Sequence, residues 1–251
     1  MIKAIFLDMD DTLIVNMVLY EHAEAKLYGY LRHFGVLQED AERVYAAKDK
    51  ELFATHGYSR TRMPSSFETV LKHFVPDADE EMVAIVRDFA ETIFSTVAKL
   101  KPGTSEAIDL LTRNYPVYVV TQGDRGVQEN RLSHLPFRNE LSGAFIVEKK
   151  NKEVYADLAE RLGYAPAEIV MMGDSLKSDI IPSVAAGLQA VWIEAHNSPL
   201  HETAKEFPAE RAYKFSSLLE ASRHIVQNGT PAAIPLMFPP PARKNSAPRP
   251  K

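Results

Sequence analysis

Cysteine is absent from the 251-residue chain, which excludes disulfides, thiolate metal sites and a cysteine nucleophile. A chain this long buries enough surface to hold a core without covalent staples, and a reducing cytoplasm is its expected home. Positive charge is not in excess either. Against 34 Asp and Glu stand 29 Lys and Arg, a formal net charge of -5, and no basic stripe of the kind nucleic-acid binders carry runs through the sequence. No uncharged apolar run reaches the roughly 18 residues that a membrane helix requires. The first residues lack the basic, apolar and small-residue succession of a secretion signal. The eight histidines show no paired metal-ligand spacing. A soluble cytoplasmic protein with neither a nucleic-acid nor a membrane partner is expected.

What the chain does have is a series of short apolar runs: AIFL (4–7), VYVV (117–120), AFIV (144–147), IVMM (169–172) and AVWI (190–193). Their length and β-branched content predict buried strands, with Trp192 in the core. Helix-length segments alternate with the later runs, at 104–114, 152–163 and 178–187. Gly163 and Gly187 stand where a helical C-cap takes a left-handed residue, and Pro182 falls in a first turn. Strands alternating with helices predict an α/β fold: a parallel Rossmann-like sheet with helices on both faces. Residues 15–98 hold no strand run but four amphipathic stretches, at 21–35, 39–57, 66–74 and 79–100. The expected organisation is an α/β core from 1–14 and 99–228, an inserted all-helical cap domain from 15–98, and a Pro-rich tail from 229–251. The tail carries seven prolines, four basic residues and no acids, a composition that predicts disorder and a segment able to bind a partner.

In such sheets the ligand crevice lies at the carboxyl ends of the strands. There the sequence places Asp8, Asp10, Asp11 and Thr12 after the first run, Thr121, Gln122 and Gly123 after the second, Lys149 and Lys150 after the third, and Asp174 and Asp179 after the fourth. Each group alone reads as a turn, a helix cap or a solvated pair. Their order over successive strand ends is what a phosphate site needs. Asp8, Asp10 and Asp174 offer hard oxygen ligands, and Mg²⁺ would relieve their repulsion. Asp8 is placed to attack a phosphoryl group and Asp10 to protonate the leaving oxygen and later activate water. The Thr121 hydroxyl and nearby amides would hold phosphate oxygens, and a lysine would neutralise the developing charge.

DMDDTL, Thr121, the lysine and GDSLKSD together resemble the haloacid dehalogenase-like hydrolase superfamily, over nearly all of residues 1 to 225. The resemblance implies a magnesium-dependent phosphatase acting on a small phosphorylated metabolite, with Asp8 as nucleophile and Asp10 as general acid/base. It implies metal ligation by Asp8, the Asp10 carbonyl and Asp174, with Asp179 in support, and a helical cap after the first strand. Its lysine is assigned to Lys150, five residues before Tyr155, with Lys149 and Lys152 as alternatives. Position 11, glycine in many members, is aspartate here. Thr12, Gln122 and Gly123 are substrate-binding candidates. So are Arg60 and Arg62 in the helical segment, which could hold an anionic group bidentately. Asn16 and Tyr20 stand where they would line an entrance or form a hinge.

Asp10 argues against a dehalogenase, which needs no acid there. A phosphoryl-transferring mutase uses the same Asp8/Asp10 pair and is the main rival. A receiver-type signalling module is rejected, because Asp174 and Asp179 follow both Thr121 and the lysine. A non-catalytic binding protein would be expected to lack Asp8 or Asp10. The substrate, a homodimer and the tail's partner are left open.

Overall fold

The computed structural model describes residues 1–194, 207, 208 and 210–231. Six strands form one parallel sheet in the order β3-β2-β1-β4-β5-β6: β1 (Ala4–Leu7), β2 (Val117–Gln122), β3 (Gly143–Val147), β4 (Ile169–Gly173), β5 (Gln189–Ile193) and β6 (Ala212–Phe215). Parallel strands need helical crossovers, and these cover both faces. Because side chains alternate along a strand, Ile5 and Leu7 pack with α5 (Thr104–Thr112) and α9 (Leu218–Asn228) on one face. Ala4 and Phe6 pack with α7 (Lys152–Leu162) on the other. β1 sits between β2 and β4, where the chain's progression along the sheet reverses, so the crevice of a doubly wound sheet opens at its carboxyl end.

Between β1 and β2 lies a helical insertion: α1 (Met17–Arg32), α2 (Gln38–His56), α3 (Arg62–Phe74) and α4 (Glu80–Ser95). Its helices bury one stripe each, Ala23, Leu27 and Leu31 from α1, Met63, Phe67 and Val70 from α3, and Val86, Ala90 and Ile93 from α4. These side chains form an apolar cluster of their own, each large one worth about 1.5–3 kcal/mol of burial. The chain leaves and re-enters the sheet through two adjacent segments. Val15 N–H donates to the Lys99 carbonyl at 2.8 Å and Lys101 N–H to that of Leu13 at 2.9 Å. This pairing ends α4 at Ser95, five residues short of the expected helix.

The helices α6 (Arg125–Ser133) and α9 and the strand β6 have no counterpart in the sequence reading. The helix expected over 178–187 divides. A π-turn over Leu176–Ile180 precedes the short α8 (Ile181–Ala185), whose first turn holds Pro182. Proline donates no backbone N–H, so the regular ladder cannot run through it, and the wider turn upstream carries Asp179. Gly163 and Gly187 are left-handed, at φ 74° and 93°. Trp192, expected as core, is only partly buried, and its indole N–H donates to the Asp174 carbonyl at 2.7 Å. Most of the Pro-rich tail, residues 232–251, lies outside the described residues. No helix among the described residues is long and apolar enough to cross a membrane.

Candidate active site

The end of β1 turns sharply. Asp8 N–H donates to the Met172 carbonyl at 2.9 Å, which fixes the carboxylate beside the end of β4. Leu13 and Ile14 N–H both return to the Met9 carbonyl, closing a tight loop around Asp10 and Asp11. Asp11 takes φ 58°, a left-handed geometry that favours glycine. Its carboxylate offsets the strain by accepting N–H bonds from Asn16 and Met17 at 2.9 and 3.0 Å, capping the start of α1. Burial pushes its pKa up, against the pull of those two bonds. Asp11 is thus a structural residue of the passage into the insertion.

Four strand ends converge on Asp8. Lys150, 5% exposed, donates through Nζ to Asp8 at 2.5 Å and to Asp179 at 2.6 Å. Lys149 and Lys152 are exposed. The Gln122 side chain accepts from Lys150 N–H at 2.6 Å and so orients the lysine's loop. Asp179, fully buried, also accepts from Ser175 N–H at 3.0 Å. It fits only because position 173 lacks a side chain, since a Cβ there would stand 2.2 Å from the Asp179 carboxylate. Thr12 is buried under Asp174, accepting its N–H at 3.1 Å and donating to its carboxylate at 3.4 Å. It therefore positions Asp174 and does not line the cavity.

Oxygens of Asp8, Asp174 and Asp179 lie within 4.8 Å of one another. Burial raises the Asp8 pKa to about 7; Lys150 pulls it down, while Asp179 and Asp10 push it up. Burial, with Asp8 and Asp179 beside it, holds Asp174 well above the carboxylate range. Burial alone would lower the Lys150 pKa, but Asp179 and Asp8 outweigh it and raise it. Three crowded hard-oxygen donors short of positive charge fit a divalent cation such as Mg²⁺. The Asp10 carboxylate is not in that cluster.

Asp10 is held instead by two residues the sequence reading did not single out. Arg131 Nη1 donates to both its oxygens at 2.8 Å and Gln128 Nε2 donates at 2.9 Å. Both come from α6, where they stand three apart on one face behind the Asp124 N-cap, a spacing that would have paired them once the helix was recognised. Gly123, at φ 143°, gives Gln128 room, since a Cβ would meet its amide at 2.9 Å. The Thr121 hydroxyl is buried and has no hydrogen-bond partner among the described residues.

The carboxyl ends of the strands and the insertion together wall a cavity of about 580 Å³. Asp8, Asp10, Lys150, Asp174 and Asp179 line one side, with Gln122 and Gly123. From the insertion come Asn16, Tyr20, Glu24, Tyr45, Asp49, Phe53, Tyr58, Arg62 and Phe94. The two arginines expected to bind substrate part company. Arg60 lies outside the cavity, its guanidinium engaged by Glu91 and half exposed. Arg62 opens α3 and faces inward, buried, pairing with Asp49 and packed 5.4 Å from the Phe53 ring. Two positions along a turn separate them, so the start of α3 sends one to solvent and one to the cavity.

Burial pushes the Glu24 pKa above its ordinary 4.5, against a hydrogen bond from Tyr45. A raised carboxyl contributes stability that is complete below 4.5 and lost as pH rises through the folded value. Glu24→Gln is therefore expected to leave the thermal midpoint at pH 4 unchanged and to raise it at pH 8. An equal shift at both pH values would show that Glu24 is not the titrating group.

The profile of the haloacid dehalogenase-like hydrolase family matches residues 2–187. A glyceraldehyde 3-phosphate phosphatase of Methanopyrus kandleri is 27% identical, the match covering 77% of this chain and 84% of that one. A pyrimidine 5′-nucleotidase of Streptococcus pneumoniae is 24% identical, over 87% of this chain and 94% of its own length. Among solved structures, a haloacid dehalogenase-like family hydrolase from Xanthomonas campestris superposes with a TM-score of 0.75 at 21% identity, covering 90% of this chain and 91% of that one.

Proposed function

The chain belongs to the haloacid dehalogenase-like hydrolase family, and from that premise we propose that it is a cytoplasmic, magnesium-dependent phosphatase of small phosphorylated metabolites. The observation that carries the reading is Lys150 joined to both Asp8 and Asp179. It supports the reading by setting the carboxylate assigned as nucleophile beside a counter-charge and beside the carboxylates assigned to the metal. The insertion serves as the cap that closes over bound substrate and excludes water.

An Asp8 oxygen attacks the phosphorus and the ester oxygen departs, leaving a phosphoryl group on Asp8. Asp10 supplies the proton that the leaving alkoxide needs. It then takes a proton from water, which attacks the same phosphorus, breaks the acyl-phosphate bond and returns Asp8 with inorganic phosphate. Arg131 and Gln128 fix where the Asp10 carboxylate stands, and Lys150 holds Asp8 in place. Thr121 and the amides beside Gly123 bind the phosphoryl oxygens. Mg²⁺, held by Asp8 and Asp174 with Asp179 in support, would neutralise phosphoryl charge as a Lewis acid.

The test is phosphate release from p-nitrophenyl phosphate after chelator treatment, with and without added Mg²⁺, for the parent and Asp10→Asn. Turnover is expected only with Mg²⁺, and Asp10→Asn is expected to slow it by about 10²–10⁴-fold. Metal-independent turnover, or an unimpaired Asp10→Asn, would sink the reading.

Thr121 gives a separate check, because its hydroxyl meets no hydrogen-bond partner among the described residues. Thr121→Val is expected to lower kcat by about 10²-fold through loss of a phosphoryl ligand. Its urea midpoint should stay level or rise, since an unpaired buried hydroxyl is removed. A clear loss of stability would mean that Thr121 serves the fold.

A further inference from the structure

The cavity is much larger than the phosphate site at its end. A three-carbon phosphate would leave most of its 580 Å³ empty, whereas this size is ordinary for a ligand with rings. The insertion side is rich in rings, contributed by Tyr20, Tyr45, Phe53, Tyr58 and Phe94. Aromatic side chains give a nucleobase a surface to stack on, whatever its edge pattern.

On this wall Glu24 and Asp49 stand against Lys50 and Arg62, so it offers a second anion no net positive charge. Arg62, the buried cation there, already has its charge met by Asp49, which Ser66 in turn anchors at 2.8 Å. The unpaired polar atoms say more. Among the described residues, Arg62 Nε is a buried donor without an acceptor, while Asn16 Oδ1 and Gln128 Oε1 are buried acceptors without donors. All three residues line the cavity and are at least nine-tenths buried. A carboxylate or a second phosphate would answer only the donor. A base edge with ribose hydroxyls answers both kinds.

Resting on the phosphatase reading, we propose that the insertion side of the cavity is a nucleobase site, that the substrate class is a nucleoside 5′-monophosphate, and that Arg62 is its specificity-determining residue. Phe53, packed against the Arg62 guanidinium, holds that residue toward the cavity.

Phosphate release is compared for uridine and adenosine 5′-monophosphates, ribose 5-phosphate and glycerol 3-phosphate, with p-nitrophenyl phosphate reporting the chemistry by itself. At least one nucleotide should exceed ribose 5-phosphate in kcat/KM by about 10- to 100-fold, the value of stacking one base. Arg62→Gln and Phe53→Ala should each shrink that ratio, mainly by raising KM for the nucleotide. Equal use of ribose 5-phosphate, or a preference for glycerol 3-phosphate, overturns the inference while leaving the phosphatase reading intact. An unchanged ratio in both variants overturns the assignment of Arg62.

Calorimetry with the free nucleosides needs no turnover. Millimolar or tighter binding supports the site, and no binding by either nucleoside overturns it. Binding without hydrolysis of any ester would keep the nucleobase site and reject the phosphatase instead.

Discussion

Asp8→Asn should lose turnover on the order of 10⁴-fold or more while folding at least as well as the parent. On the proposed mechanism, the amide keeps the shape of the carboxylate but cannot form the phosphoryl bond, so the chemical step loses its nucleophile. Stability should move the other way, because Asp8 is one of three buried carboxylates drawn on a single lysine. Its pKa stands at about 7 in the folded chain against an ordinary 3.8. The stability it contributes is complete below 3.8 and is lost as pH rises through 7. Asparagine does not titrate. In chelator, the parent's thermal midpoint should therefore fall between pH 5 and pH 8 more than the variant's does. Parallel slopes would rule out Asp8 as the source, and turnover within about tenfold of the parent's would rule it out as nucleophile.

Lys150→Met carries the second large effect, and here stability and activity fall together. The substitution leaves Asp8 and Asp179 buried without the ammonium that touches both. Removing one partner of a buried ion pair costs about 3–5 kcal/mol, since the remaining charge stays desolvated. Activity should fall by about 10²–10³-fold, as when a preorganised electrostatic group is removed from a catalytic site. Lys149 and Lys152 are exposed neighbours, so Lys149→Met and Lys152→Met should change stability by no more than about 0.5 kcal/mol. Urea denaturation of the three variants decides the matter. Equal effects at all three positions would mean that the segment's net charge matters and the buried contact does not.

The sheet was legible because its parallel strands read as bare apolar runs, and five of the six do so, although β3, expected to be buried, lies at the sheet edge and is only partly buried. β6 escaped because Ala212–Phe215 is a four-residue edge strand with Tyr213 and Lys214 partly exposed, so its pattern resembles a loop. The aspartates could be read because their chemistry is tied to strand ends. Lys150 could be chosen by its distance from Tyr155, which is fully buried and donates its hydroxyl to the Ser178 carbonyl at 3.1 Å. Arg131 and Gln128 carried no comparable signal. Each is an ordinary helical residue until α6 is docked beside the β1 loop, and only then does their spacing acquire a target. Arg60 and Arg62 were equivalent on paper for the same reason, and so was Thr12, whose partner Asp174 lies 162 residues away. Docking geometry sorts such residues, and local pattern does not record it.

β1 is the first strand made and the central one in the finished sheet. Ile5 lies beside both Val117 and Val170, so its first neighbour is synthesised more than a hundred residues later. The helices of the insertion, whose contacts are local, can collapse on the ribosome in that interval. Ala4–Leu7 must wait with both hydrogen-bonding edges bare, the kind of segment that seeks other chains. The order in which this chain is translated therefore exposes a fully buried strand for longest, and a slow ribosome between β1 and β2 would prolong that exposure.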